Sequence, residues 1–113
     1  MLEHLAQAID ARDAAFADAT AAEPMLDSDN PAVAHFSKLV LRAFADADEA
    51  CERAFVAAKQ PNPDAAEVAA LTRAVVYAAA YASTTAVVAA QIENGEVDAD
   101  PLETLDNAVS GRG

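Results

Sequence analysis

Ala74-Val75-Val76-Tyr77-Ala78-Ala79-Ala80-Tyr81-Ala82-Ser83-Thr84-Thr85-Ala86-Val87-Val88-Ala89-Ala90-Gln91-Ile92 is the stretch whose reading decides the fold. No charged side chain interrupts it, although the chain as a whole carries a formal net charge of −12. Such a run must be hidden from water or used to bind something. It contains neither Gly nor Pro, and Ala is the strongest helix former, so the run reads as the middle of a long helix. Asn62 or Asp64 can cap that helix, and Asn94-Gly95 is a good stop.

At 100° per residue the helix divides in two. Val68, Leu71, Val75, Val76, Ala79, Ala82, Ala86 and Ala89 fall on one side, which is aliphatic and small. Arg73, Tyr77, Tyr81, Thr84, Thr85, Val88 and Gln91 gather on the other. Tyr and Arg combine contact area with directed hydrogen bonds. Arg73, Tyr77, Tyr81, Thr84 and Gln91 are therefore a candidate interaction face. The run reaches the minimum length for crossing a bilayer, near 20 residues. However, Leu is absent from it, and its flanks, Arg73 on one side and Glu93 with Glu96 on the other, carry no basic cluster, so no membrane insertion is expected.

Upstream, Pro61-Asn62-Pro63-Asp64 is a tight connection to a second helix over about residues 31–60. Asn30 can cap it, and Pro31 suits its first turn. Phe36, Val40, Phe44, Ala47, Cys51, Phe55 and Ala58 repeat at steps of three and four, an apolar stripe of helical period. Glu49 and Arg53 are a favourable i,i+4 pair. The second helix and the third, over about 64–93, are each about 45 Å long. Equal length and a short link predict an antiparallel helical hairpin.

Leu2, Leu5, Ile9 and Phe16 predict a first helix over about 2–22, ended by Pro24. The linker Pro24–Asn30 reads as a loop by composition. Downstream, Asp100-Pro101-Leu102-Glu103 reads as a cap, a proline in the first turn and an acid at the third position. Leu102, Leu105 and Val109 give a short fourth helix over about 101–110, and residues 111–113 read as a frayed tail. The fold class is all-α: one domain over residues 1–113, a three- or four-helix bundle. Its apolar fraction of 54% is mostly Ala, which buries little area per residue. The expectation is that dimerisation completes this thin core.

Nineteen acidic residues against seven basic ones, with pI about 4.2, argue against direct nucleic-acid binding and against docking on anionic lipid. They admit a basic protein partner. The lone Cys51 excludes an intramolecular disulfide and fits a reducing compartment. The N-terminus has neither a basic region nor a long apolar one, so a cytoplasmic protein is expected.

Catalytic constellations are missing. Asp46, Asp48, Glu49 and Glu52 form a candidate acidic face on the second helix. They make a poor di-metal site, because such bundle centres use Glu-x-x-His pairs and none occurs. Asp27-Ser28-Asp29-Asn30 resembles the start of a calcium loop, but Ala32 stands where the loop needs Gly and Lys38 where it needs Glu. His4 and His35 have no ligand at helical spacing. Cys51 lies on the apolar stripe, where a thiol is inert. Three glycines in the whole chain leave no phosphate cradle.

No catalytic residue, cofactor or metal is therefore assigned. The expected function is a non-enzymatic acidic helical interaction module, of inhibitor, immunity or anti-defence type, that binds a basic partner and forms a homodimer. Two alternatives stand beside it. One is a bundle that binds a small ligand or metal between the second and third helices, lined by Arg73, Tyr77, Tyr81 and Thr84. The other is a structural subunit of a larger viral or bacterial assembly.

Overall fold

The computed structural model describes residues 2–95. They form three α-helices packed against one another: α1 (Leu2–Ala22), α2 (Pro31–Ala58) and α3 (Ala65–Glu93). No strand occurs among the described residues. The short helix expected over about 101–110 lies outside them.

Local chemistry sets the helix ends. Asn30 takes an extended backbone, and its side-chain oxygen accepts from the Ala32 amide at 3.0 Å. Of the two caps offered for α3, Asp64 serves: its carboxylate accepts from the amides of Ala66 at 2.9 Å and Glu67 at 3.4 Å. Each cap satisfies donors that a helix start leaves unpaired. At the far end, Gly95 has φ of 71°, and its amide donates to the Ile92 carbonyl at 3.1 Å. A left-handed residue in this position turns the chain off the helix axis at no steric cost to glycine.

The linker expected as a loop over 24–30 is partly ordered. Glu23–Asp27 form a 3-10 turn with Pro24 in its first turn, and the Ser28 amide donates back to the Met25 carbonyl at 3.1 Å. Proline lacks only an amide that a turn of this kind leaves unused at its start. Ser28 also donates its hydroxyl to Glu93 at 3.3 Å, which ties the linker to the last turn of α3.

The core is small-residue packing with a few larger anchors. Ala8, Ala15 and Ala22 of α1 meet Val40, Ala43, Ala47 and Cys51 of α2 and Val75, Ala79 and Ala82 of α3. A second cluster joins Val33 and Phe36 of α2 to Val88, Ala89 and Ile92 of α3. Phe36 is the largest fully buried side chain.

Two expected stripes are corrected. On α1, Leu5 and Ile9 are only half-buried and Phe16 is exposed, while Ala8, Ala15, Ala19 and Ala22 form the contact line. On α2, Phe44, Phe55 and Ala58 are half-buried, and Ser37, Ala43, Ala54 and Ala57 take fully buried places. In both helices Ala lets neighbouring backbones approach, and the bulkier residues move to the flanks of the contact.

By length and composition α3 is long and apolar enough to cross a membrane. In this structure it packs against α1 and α2.

Candidate functional site

The buried line on α3 is not straight. It begins with Val68, Thr72, Val75, Ala79 and Ala82 and continues through Thr85, Val88, Ala89 and Ile92. Thr85 and Val88, expected on the open side, are therefore packed inside. A straight helix of 3.6 residues per turn drifts about 20° per heptad relative to a seven-residue contact repeat such as Val68, Val75, Ala82 and Ala89, and over the 29 residues of α3 this accumulates to about 80°. A fixed angular projection misses that rotation.

The two buried threonines bring their own partners. Thr72 donates to the His4 carbonyl of α1 at 3.3 Å, and Thr85 donates to the Tyr81 carbonyl one turn earlier at 2.7 Å. A buried hydroxyl so paired avoids most of its desolvation cost.

The residues expected on an interaction face differ in exposure. Arg73, Tyr77 and Tyr81 are exposed, Tyr77 to 77%, while Thr84 and Gln91 are half-buried. The face is divided between shallow depressions. Arg73 and Tyr77 share one of about 330 Å³ with Gln7 and Val76, on the α1 side. Tyr81 shares another of about 320 Å³ with Leu39, Arg42 and Asp46 of α2. Tyr77, Ala80, Tyr81 and Thr84 line a third of about 190 Å³.

The expected acidic face is also divided. Asp46, Asp48, Glu49 and Glu52 are all exposed. Asp48 turns to Arg12 of α1 at 3.9 Å, and Asp46 borders the Tyr81 depression. Glu49 pairs with Arg53 at 2.7 Å. Glu49 and Glu52 are joined by Glu67 of α3, a residue that sequence reasoning left out. Together with Val56, Ala57 and Leu71 these three carboxylates line a groove of about 590 Å³ between the end of α2 and the start of α3. Glu67 lies in the first turn of α3 and lines the groove together with residues of α2. The visible signal was the acid three residues after the Asp64 cap.

Burial raises the pKa of two groups. Asp18 on α1 is pushed above 3.8 by partial burial. The Cys51 thiol is pushed above 9.0, mainly by burial; Arg12 pulls it back, and Asp48, Asp13 and Glu52 add to the rise. Among the described residues no group of three or more His, Cys, Asp or Glu is placed to hold a metal ion.

No family model matches the chain, and no curated protein or solved structure is significantly similar to it.

Proposed function

We propose that this chain is a non-enzymatic helical interaction module that binds a basic segment of a protein partner. The observation that carries the reading is the groove lined by Glu49, Glu52 and Glu67 together with Val56, Ala57 and Leu71. Val56, Ala57 and Leu71 supply apolar area, and the three carboxylates supply attraction and orientation. Arg53, the base within the groove, is already paired with Glu49. A helix or extended segment with an apolar anchor and flanking Lys or Arg has the complementary pattern.

We read the scaffold under this groove as an antiparallel hairpin of α2 and α3. Supporting that reading, the start of α2 clusters with the end of α3 through Phe36 and Ile92, while Gln60 and Glu67 line the same groove at the other end. The small-ligand alternative is less well supported. Arg73, Tyr77, Tyr81 and Thr84, expected to line one site, are divided among three shallow depressions of about 330, 320 and 190 Å³, whereas a small-molecule site gathers its polar groups in one concave pocket.

Calorimetric titration with a lysine-rich amphipathic peptide tests the reading. Saturable binding should weaken strongly when Glu52 and Glu67 are both changed to Lys, and should be nearly unchanged by Asp29→Lys in the linker, which Ser28 ties to the other end of α3. Equal loss in both variants would reduce the effect to overall acidity and end the proposal.

A further inference from the structure

The outer line of α3 is the surface that the three-helix packing leaves open. Tyr77 is 77% exposed, Val87 53% and Tyr81 37%. Arg73 and Ala80 are exposed as well, and Thr84 and Gln91 are half-buried. Arg73, Tyr77, Ala80, Thr84, Val87 and Gln91 follow one another at alternating steps of four and three. That alternation is the seam of a coiled coil, which packs against another helix. The inner side of α3 keeps the same period, with Val68, Val75, Ala82 and Ala89 buried seven residues apart. There α1 and α2 pack against it. Among the described residues no helix lies over the outer seam, and an exposed apolar strip of this kind marks a contact.

Charge decides what can cover it. Between Arg73 and Glu93 α3 has no charged side chain. The exposed sides of the other helices carry carboxylates, Glu3, Asp10 and Asp13 on α1 and Asp46, Asp48 and Glu52 on α2. With a net charge of −12 each, two copies repel one another wherever such groups are set face to face. Along the outer seam of α3 they can meet without doing so. The borders of the seam are mixed. Gln7 lies on the α1 side, and on the α2 side Arg42 and Asp46, one base and one acid, share a depression with Tyr81.

We propose that a second copy of this chain docks here, α3 against α3 and antiparallel, about a two-fold axis midway between Ala80 and Thr84. In that register Tyr77 meets Val87 of the second copy, and Ala80 meets its Thr84. Each contact occurs twice, as a two-fold interface requires. The small residues at the centre let the two backbones approach, and the larger ones close the seam on either side. Arg73 meets Gln91 of the second copy. Gln91 stands in the last turn of α3, where the helix dipole and the neighbouring Glu93 favour a cation. A parallel pairing would set Arg73 against Arg73, and like charges so placed disfavour it.

Size sets the strength. From Arg73 to Gln91 the seam runs about 27 Å, and a helix is about 10–12 Å wide, so its footprint is about 300 Å² a copy. A standard stable interface takes about 800 Å² from each partner. The dimer is therefore a dissociating one, opposed in addition by the net charge that the second copy brings. Salt screens that repulsion, so added salt should strengthen the dimer. It should weaken the binding of a basic peptide at the Glu49–Glu67 groove. The two contacts stand or fall separately.

Sedimentation equilibrium of the full chain from ~5 µM to ~1 mM covers the range in which so small a contact dissociates. The mass should rise from monomer to dimer and no further. Ala80→Glu sets two carboxylates beside the axis and should weaken the dimer at least about tenfold, with helicity by circular dichroism unchanged because Ala80 is exposed. Tyr77→Lys alone and Val87→Glu alone should each weaken it as well. The chain carrying both changes should regain dimerisation, because each substituted position then meets the opposite charge across an antiparallel seam. Monomer mass over the whole range, or growth beyond a dimer, would overturn the proposal. So would a dimer that Ala80→Glu leaves intact. A double variant no better than the single ones, the result a parallel seam would give, would overturn it too.

Discussion

Phe16 of α1 meets Phe44 of α2 edge-on, with ring centroids 5.5 Å apart and planes at 62°. The pair lies at the rim of the α1–α2 contact, with Phe16 58% exposed and Phe44 half-buried. Such a pair contributes about 1 kcal/mol beyond its area. Phe36, fully buried against Val88 and Ile92, is a different case, since its removal leaves a cavity. Phe16→Ala should cost about 1–2 kcal/mol and Phe36→Ala about 3–5 kcal/mol. Urea unfolding of both variants gives the order. Equal losses would mean that the rim pair anchors the helices as firmly as the inner cluster does.

Among the described residues, Ser37 has a buried side-chain oxygen without a hydrogen-bond partner. Its Oγ accepts and donates no hydrogen bond among the described residues, although the residue is fully buried on α2. A hydroxyl removed from water without compensation is a net cost. Ala at this helical site also removes a propensity penalty. Ser37→Ala should therefore stabilise the protein by about 1 kcal/mol, which for a domain of this size raises Tm by about 4–8 °C. A drop in Tm would show that the hydroxyl has a partner in solution.

Partial burial raises the pKa of Asp18, so the folded state holds this proton more tightly than the unfolded chain does. Protonation therefore favours folding in the window from pH 3.8 up to the raised folded value. Stability is lost as pH rises through that window and stays lower above it. Asp18→Asn should flatten this part of the profile and leave the variant more stable near neutral pH. Asp10→Asn, on the exposed side of α1, controls for the general loss of negative charge. Denaturation midpoints across the window decide, and parallel profiles for the parent and Asp18→Asn would remove Asp18 as the cause.

Local chemistry was legible in the sequence, and tertiary rotation was not. Asn30-Pro31 and Asp64 announce helix starts because a cap is a contact between near neighbours, and Asn94-Gly95 marks a stop for the same reason. Tyr77 and Arg73 are exposed because they lie near the middle of the open arc. Thr85 and Val88 were misplaced because the contact line on α3 turns gradually along its length. Ala8, Ala15 and Ala19 were overlooked because Ala carries little weight in a hydrophobic pattern, although its size permits close helix approach. The Glu49–Glu67 groove depends on how two helices lie side by side, which the spacing within either one does not encode.

Cys51 joins these observations to chemistry that can be measured directly. It is fully buried between α1 and α3 on the inner side of α2. Burial holds its thiol above 9.0, with Asp48, Asp13 and Glu52 reinforcing the effect against Arg12. The thiolate is the reactive form, so both access and ionisation oppose modification. A disulfide-forming thiol reagent at neutral pH should label the native chain only through opening of the helices. The labelling rate should then follow the unfolding equilibrium as denaturant is added, which places Cys51 in the most protected part of the fold. Because the folded thiol ionises at higher pH than the unfolded one, stability should also fall as pH rises past 9.0, where only the unfolded chain gives up its proton. Labelling of the native chain at the rate of a free thiol would mean that the three helices do not close over Cys51, and the Ala-lined core around it would have to be redrawn.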